Sequence, residues 1–516
     1  MKTSARICSL LGIHLAFTAH AEVSLPAVIS DHMVVQAGKP VAIWGWADAG
    51  EEVVVDFAGQ KKTTKADAKG DWQVKLDPLA PEKKGQELRV QSKVVKNVLV
   101  GEVWLASGQS NMAMQIKGEL HGSVDHADAE IAAANHPEIR VFVHDAPFAI
   151  YELPVPDDAA AKDRPGRWQV CSPETVGPFS AMGYFFARDL AAELQQPVGI
   201  LTSAVGGTPI EGWTSLSAQQ KVPELKPLLE DWTKRLDGFV PEAEQKKFLD
   251  KKAVWLKERA AALKAKQPVA KAPLPFKNLQ VMKPGGLYAG MIEPLAPYTL
   301  RGIIWYQGER NAAGPFTWLY GRQLQLLISD WRARWADDIH FAWVQLPAVK
   351  GVQKLPSEPK GWGVGVREGQ RRTLSLPHTS MAITMDLKGE LNGHPTNKVD
   401  YAKRLSAVVL HDVYQKANPL PTGPLFKAAS VEAGKMMLTF DHAAGLKARE
   451  GKLEGFAIAG ADGKFLAANA KVDGGHVVVW HGKVTEPKTV HYAFAGNPKG
   501  NLVNGAGIPA SPFSTE

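Results

Sequence analysis

Cysteine is almost absent: the 516 residues contain two, Cys8 and Cys171. Cys8 falls in a stretch with the form of a secretory signal. Lys2 and Arg6 give a basic start, Ile7–Phe17 is mostly apolar, and Ala19-His20-Ala21 fits an A-x-A cleavage site before Glu22. A chain processed there keeps one thiol, forms no internal disulfide and relies on its hydrophobic cores. That pattern suits a bacterial periplasmic or secreted enzyme, with Cys171 buried and inert. Long apolar runs are also missing. Ile7–Phe17 is too short to span a membrane, and no later run approaches the roughly 20 residues required. Zinc-ligand spacing is missing too. His121, His126, His340, His378 and His442 read as ordinary surface or capping residues, so no metal and no other cofactor is expected. The net charge of +7 is dispersed, apart from a Lys-rich stretch near 245–271, and no nucleic-acid-binding signature accompanies it. A solvated basic face is the reading, and nucleic acid is not expected as a partner.

What remains is ordinary globular material, with 45% hydrophobic and 22% charged residues, in a chain long enough for two or three domains. Fifteen Trp residues read mostly as core, although sugar-handling proteins also use Trp faces. Residues 22–97 read as an N-terminal β domain of short strands, among them Val41–Trp46, Glu52–Phe57 and the alternating Trp72–Leu76, separated by turn-like Asp48-Ala49-Gly50 and Lys69-Gly70-Asp71. From 98 to 415 strands alternate with helices, which predicts a parallel sheet covered by helices. Within that span, 221–272 reads as an inserted helical hairpin. One stripe is Leu225, Leu228, Leu229, Trp232 and Leu236; the other is Leu249, Ala253, Leu256, Ala260 and Leu263. It reads as a spacer, with a lid or a dimer surface as alternatives. Strand patterning returns over 416–516. The two β regions are expected to flank the α/β core, and the oligomeric state stays open.

Four segments carry chemistry. Gly108-Gln109-Ser110-Asn111-Met112 ends a buried apolar run, where a hydroxyl at a sheet edge meets a base and backbone donors. Alone, G-x-S is common in loops. Val205-Gly206-Gly207-Thr208-Pro209 follows another strand, and a Gly206 or Gly207 N–H can join the Ser110 N–H around an oxyanion; an ordinary tight turn is the plain reading. Trp305-Tyr306-Gln307-Gly308-Glu309 ends a third strand, with the Gln307 amide as a further donor and Glu309 as a pairing or loop-holding group. Asn392-Gly393-His394-Pro395 precedes a helix, and His394 suits a general base for Ser110. Polar loops at several strand C-termini agree with ligand binding at that edge of open α/β sheets.

These segments, with Lys398, Tyr288-Ala289-Gly290-Met291-Ile292, Arg367-Glu368-Gly369-Gln370 and the C-terminal Gly507–Phe513, resemble the sialate O-acetylesterase family within the SGNH hydrolase superfamily of carbohydrate esterases. The likeness covers nearly the whole chain after the signal. It implies an SGNH-type three-layer α/β/α core with a parallel sheet. It also implies a serine esterase that removes O-acetyl groups from sialic acids or related sugars. Ser110 matches the nucleophile, the N–H groups of Ser110 and Gly207 with Gln307 match the oxyanion hole, and His394 matches the base. The family places Asp two residues before the His, where this chain has Asn392. In another hydrolase such an exchange lowers turnover about 10⁴-fold. The favoured expectation is a dyad assisted by Asn392, with Asp386 or Glu390 as alternative third members. Gln109, Asn111, Trp213, Trp305, Glu309, Arg367 and Glu368 are candidate substrate contacts. Acetyl xylan or another polysaccharide is the alternative substrate, and a catalytically weak glycan-binding protein is the alternative class.

Overall fold

The computed structural model describes residues 22–118, 122–144, 163–268, 270, 273, 278–349, 351–387, 393–417 and 421–516. The signal-like residues 1–21, Glu390 and Asn392 lie outside the described residues. The first strands are β1 (Val34–Gln36), β2 (Val41–Trp46), β3 (Glu52–Phe57), β4 (Gln60–Lys65), β5 (Asp71–Leu76), β6 (Glu82–Val90) and β7 (Lys93–Gly108). β5 buries every second residue, as a strand with one solvated face does. β7 serves two regions. Its beginning pairs antiparallel with β6, Leu99–Gly101 pairs with β1, and Glu102–Gly108 pairs parallel with β10. The change of strand grammar at 97/98 therefore falls inside one continuous strand.

β8 (His136–His144), β9 (Gly166–Cys171), β10 (Val198–Ala204), β11 (Gly302–Tyr306), β12 (His340–Val344) and β13 (Thr379–Ala382) complete the central sheet, in the order β13-β12-β11-β7-β10-β8-β9. Every pairing along this order is parallel except β8 with β9. The sheet is thus mixed at one edge rather than wholly parallel. β11, β12 and the second half of β7 are buried throughout, because helices cover both faces. Val103 and Leu105 join the core under helix Tyr320–Trp335, while Trp104 and Ala106 join the core under helices Ala181–Leu194 and Lys398–Asp412. This alternation produces the three α/β/α layers. Ser180 starts the Ala181–Leu194 helix by accepting the Gly183 N–H at 3.1 Å.

Two four-stranded antiparallel sheets follow. One contains Leu425–Glu432, Lys435–Asp441, His476–Trp480 and Asn469–Asp473; the other contains Phe456–Ala459 and Thr489–Tyr492. Leu438, Ile458, Val477, Val490 and Phe513 form their shared core. The helical insertion consists of Lys226–Leu236 and Pro241–Lys264. Leu225, Leu228 and Trp232 pack with Val222 and Met282. The second helix buries none of its residues. Its heptad-like stripe is open to solvent, with Leu249 52%, Leu256 46% and Leu263 55% exposed. No helix among the described residues is long and apolar enough to cross a membrane.

Candidate active site

Gly108 on β7 is registered with Ala204 on β10 and with Tyr306 on β11. Three strands therefore end on one row, at the C-terminal edge of the parallel part of the sheet. Gln109-Ser110, Val205-Gly206-Gly207 and Gln307-Gly308-Glu309 come next in each. The turn out of β7 requires glycine. Gly108 has φ +138°, and an added Cβ would lie 2.2 Å from the Tyr306 carbonyl oxygen. The Gln109 N–H donates to that same oxygen at 3.0 Å. Ser110 then opens the short helix Ser110–Ala113.

His394 reaches the same point from a loop 284 residues further along the chain. Its Nε2 lies 2.8 Å from Ser110 Oγ. Ser110 is buried and His394 half-buried. Burial, and next the charge of Lys398, hold the imidazole below its ordinary range. His394 therefore gives up its proton at lower pH than a free imidazole does, which favours an acceptor nitrogen beside the serine hydroxyl. Among the described residues, the Ser110 and Gly207 N–H groups have no intramolecular acceptor. Gly207 takes φ +71°, a conformation that favours glycine. The set has a hydroxyl, an imidazole nitrogen beside it and two open amide donors, groups that acyl transfer can use.

Behind this pair lies a buried polar network. Asn111 Nδ2 donates to Glu309 Oε1 and, at 2.9 Å, to the Gly393 carbonyl. Asn111 Oδ1 accepts from Lys398 Nζ at 2.8 Å, and Nζ also donates to the Pro395 carbonyl at 2.6 Å. The Lys398 ammonium stands 5.6 Å and 5.7 Å from the ring centroids of Tyr306 and Tyr401. Burial pulls Lys398 down to about 7, with Glu309 and Asp125 acting in the opposite sense. Burial raises the Glu309 carboxyl, against the Asn111 hydrogen bond and the Lys398 charge. Glu309 Oε2 is buried without a hydrogen-bond partner among the described residues.

Several expectations need correction. Gln307 is not available as an oxyanion donor, because its Nε2 donates to the Thr208 carbonyl at 3.1 Å and to Asn311 Oδ1 at 2.7 Å. Its Oε1 accepts from the Tyr320 hydroxyl at 2.8 Å. It braces the Gly206-Gly207-Thr208 turn instead. Asp386 is not a third member. Arg404 grips it bidentately and Arg449 adds a 2.7 Å bond; these guanidiniums outweigh the opposing effect of burial and hold the carboxyl below its ordinary range. Trp213 and Trp305 are fully buried and packed edge-to-face 6.1 Å apart, so they are core residues rather than substrate contacts. Arg367 is also buried, donating to the Pro347 and Ala495 carbonyls and so joining the core to the C-terminal sheets. Glu368 accepts from Arg371 and Arg372 on its own helix, both at 2.6 Å. Gln109 Nε2 lies 3.5 Å from Ser110 Oγ, and its Oε1 accepts the Arg310 N–H.

Sequence reading missed Glu211 and Asn311. Asn311 Oδ1 takes the Ile210 N–H at 3.0 Å, and its Nδ2 donates to Glu211 Oε2 at 2.9 Å. Trp232 Nε1 donates to Glu211 Oε1 at 3.0 Å. The glycine-rich turn is thereby tied to the first helix of the insertion. Polar residues immediately after the Gly-Gly and Gln-Gly motifs were the available signal.

Residues 100–238 match the family model for carbohydrate esterases described as sialic acid-specific acetylesterase. The sialate O-acetylesterase of Rattus norvegicus is 27% identical over 490 residues, spanning 87% of this chain and 83% of that protein. The sialate O-acetylesterase of Homo sapiens is 28% identical over 449 residues, spanning 80% and 75%. A crystal structure of a carbohydrate acetylesterase from Xanthomonas citri superposes with a TM-score of 0.75 at 31% identity, covering 96% of this chain and all of that one.

Proposed function

The chain belongs to the sialate O-acetylesterase family of carbohydrate esterases and is a carboxylic ester hydrolase; from that premise we propose that it removes O-acetyl groups from carbohydrates through an acetyl-Ser110 intermediate. His394 Nε2 takes the hydroxyl proton as Ser110 Oγ attacks the acetyl carbonyl carbon. The oxygen of the tetrahedral adduct becomes an anion facing the Ser110 and Gly207 N–H groups. Collapse breaks the bond to the sugar oxygen, which receives the proton from His394. Water then attacks the acetyl-enzyme with His394 again as base, releasing acetate and restoring the serine. The single observation that carries this reading is the 2.8 Å approach of His394 Nε2 to Ser110 Oγ.

Sialic acid O-acetyl esters are the leading substrates, supported by the rat and human relatives. Acetyl xylan or another acetylated polysaccharide is the second reading, compatible with the full-length likeness to a structure described only as a carbohydrate acetylesterase. The test is p-nitrophenyl acetate hydrolysis by the wild type beside Ser110→Ala. A fall to the buffer rate in the variant is expected, and equal rates refute the assignment. A panel of O-acetylated sialosides and acetylated xylan then separates the two substrate classes.

A further inference from the structure

His394 lies between two peptide carbonyls, and each is held by a side chain that the acyl-transfer steps leave unused. Gly393 O accepts from Asn111 Nδ2, and Pro395 O accepts from Lys398 Nζ. The two holders are bonded to one another, since Lys398 Nζ also donates to Asn111 Oδ1. Asn111 is the chain neighbour of Ser110, and Lys398 is the first residue of helix Lys398–Asp412. The clamp therefore runs from the nucleophile's own helix to the base's loop without involving the imidazole itself. Both side chains are sealed from solvent. An ammonium in such a place has lost its hydration, and its donors need protein acceptors. Here those acceptors are an amide oxygen and the Pro395 carbonyl.

We propose that Lys398 and Asn111 are positioning residues, which hold the carbonyls on either side of His394 and so set its imidazole against the Ser110 hydroxyl. The proposal rests on reading Ser110 and His394 as nucleophile and base. It gives the buried lysine a role that a core residue of equal size would not fill. Geometry of this kind matters because catalysis falls steeply when reacting groups are displaced by about 1 Å. Lys398 also adds charge beside the base. The groups facing it are the carboxylates of Glu309 and Asp125, the imidazole of His394 and the ring faces of Tyr306 and Tyr401.

The test uses the full chain with Lys398→Met, which keeps length and removes donors and charge. Folding is checked by circular dichroism and thermal midpoint. For p-nitrophenyl acetate, kcat is expected to fall by about 10²-fold while KM changes little. The acid limb of the kcat/KM profile is expected to move to higher pH, because a cation that depresses the imidazole is gone. If the folded variant lacks either change, the proposal is overturned. If Lys398→Met does not fold, Asn111→Ala is read for the same fall in kcat, and a wild-type kcat there overturns it equally. Failure of both variants to fold assigns the cluster to stability alone and also overturns it. Ser110→Ala measured alongside keeps the two readings apart. A variant as active as wild type removes the nucleophile assignment, whereas an inactive Ser110→Ala beside an unaffected Lys398→Met removes only the clamp.

Discussion

The corner around Ser110 and the long arm Pro241–Lys264 reverse the usual distribution of side chains. In the corner Asn111, Gln307 and Lys398 are fully buried. On the arm Leu249, Val254, Leu256 and Leu263 stand in solvent. Each of these three side chains has named partners, so its desolvation is offset bond by bond. The exposed leucines need no such offset, because isolated apolar exposure costs little. The shorter helix Lys226–Leu236 lies between these extremes, burying Leu228 and Trp232 and linking Trp232 to the Glu211–Asn311 bonds. Residue type alone is therefore a poor guide to burial here. What decides it is whether neighbouring elements supply a matching surface.

The largest effect that would test this contrast is in the corner. His394→Ala should lower kcat by roughly 10⁴-fold or more, as loss of a catalytic base does elsewhere, while a thermal melt shows little change for a half-buried side chain. Full activity would break the contrast at its functional end. Trp232→Ala should destabilise by about 3–5 kcal/mol, the range for a buried aromatic truncation, measured by chemical denaturation. It should also lower kcat by removing the Trp232 bond that steadies Glu211 next to the glycine-rich turn, whereas Trp232→Phe should recover most of the stability. A pH-dependent effect comes from buried histidines. Burial holds His144 at about 3, and His491 and His340, the latter a buried strand residue rather than the surface group expected, each at about 4. Unfolded imidazoles protonate near about 6.5, so below that pH the unfolded chain binds more protons and stability falls. The melting midpoint should drop steadily between about pH 6.5 and 4, and a flat profile would refute neutral burial of all three. The smallest effect belongs to the arm. Changing Leu249, Leu256 and Leu263 together to Gln should alter stability by no more than about 0.5 kcal/mol per site. A larger loss would mean that this face packs against something in solution.

Local pattern revealed much of the architecture. The apolar run before Ser110, the alternation in Trp72–Leu76 and the stripe through Leu228 and Trp232 each follow a period that a strand or helix must obey. The antiparallel edge β9 was not legible, because strand direction is set by the connection and leaves little mark on a short segment. The buttressing role of Gln307 escaped for a similar reason. An amide in a loop motif has the same sequence signature whether it faces a ligand or the Thr208 carbonyl. Trp213 and Trp305, named as candidate substrate contacts, lie in the core because helix Tyr320–Trp335 brings Trp331 against Trp305.

By itself the amino-acid order determined which segments end strands, where glycine is required, and which residue types stand ready for acyl transfer, since these follow from short-range sterics and intrinsic chemistry. Only the assembled fold decided which carbonyl each buried donor meets, that Asp386 is taken by arginines, and that Lys398 lies behind the His394 loop. Those outcomes depend on contacts between residues hundreds of positions apart, and desolvation makes each of them consequential.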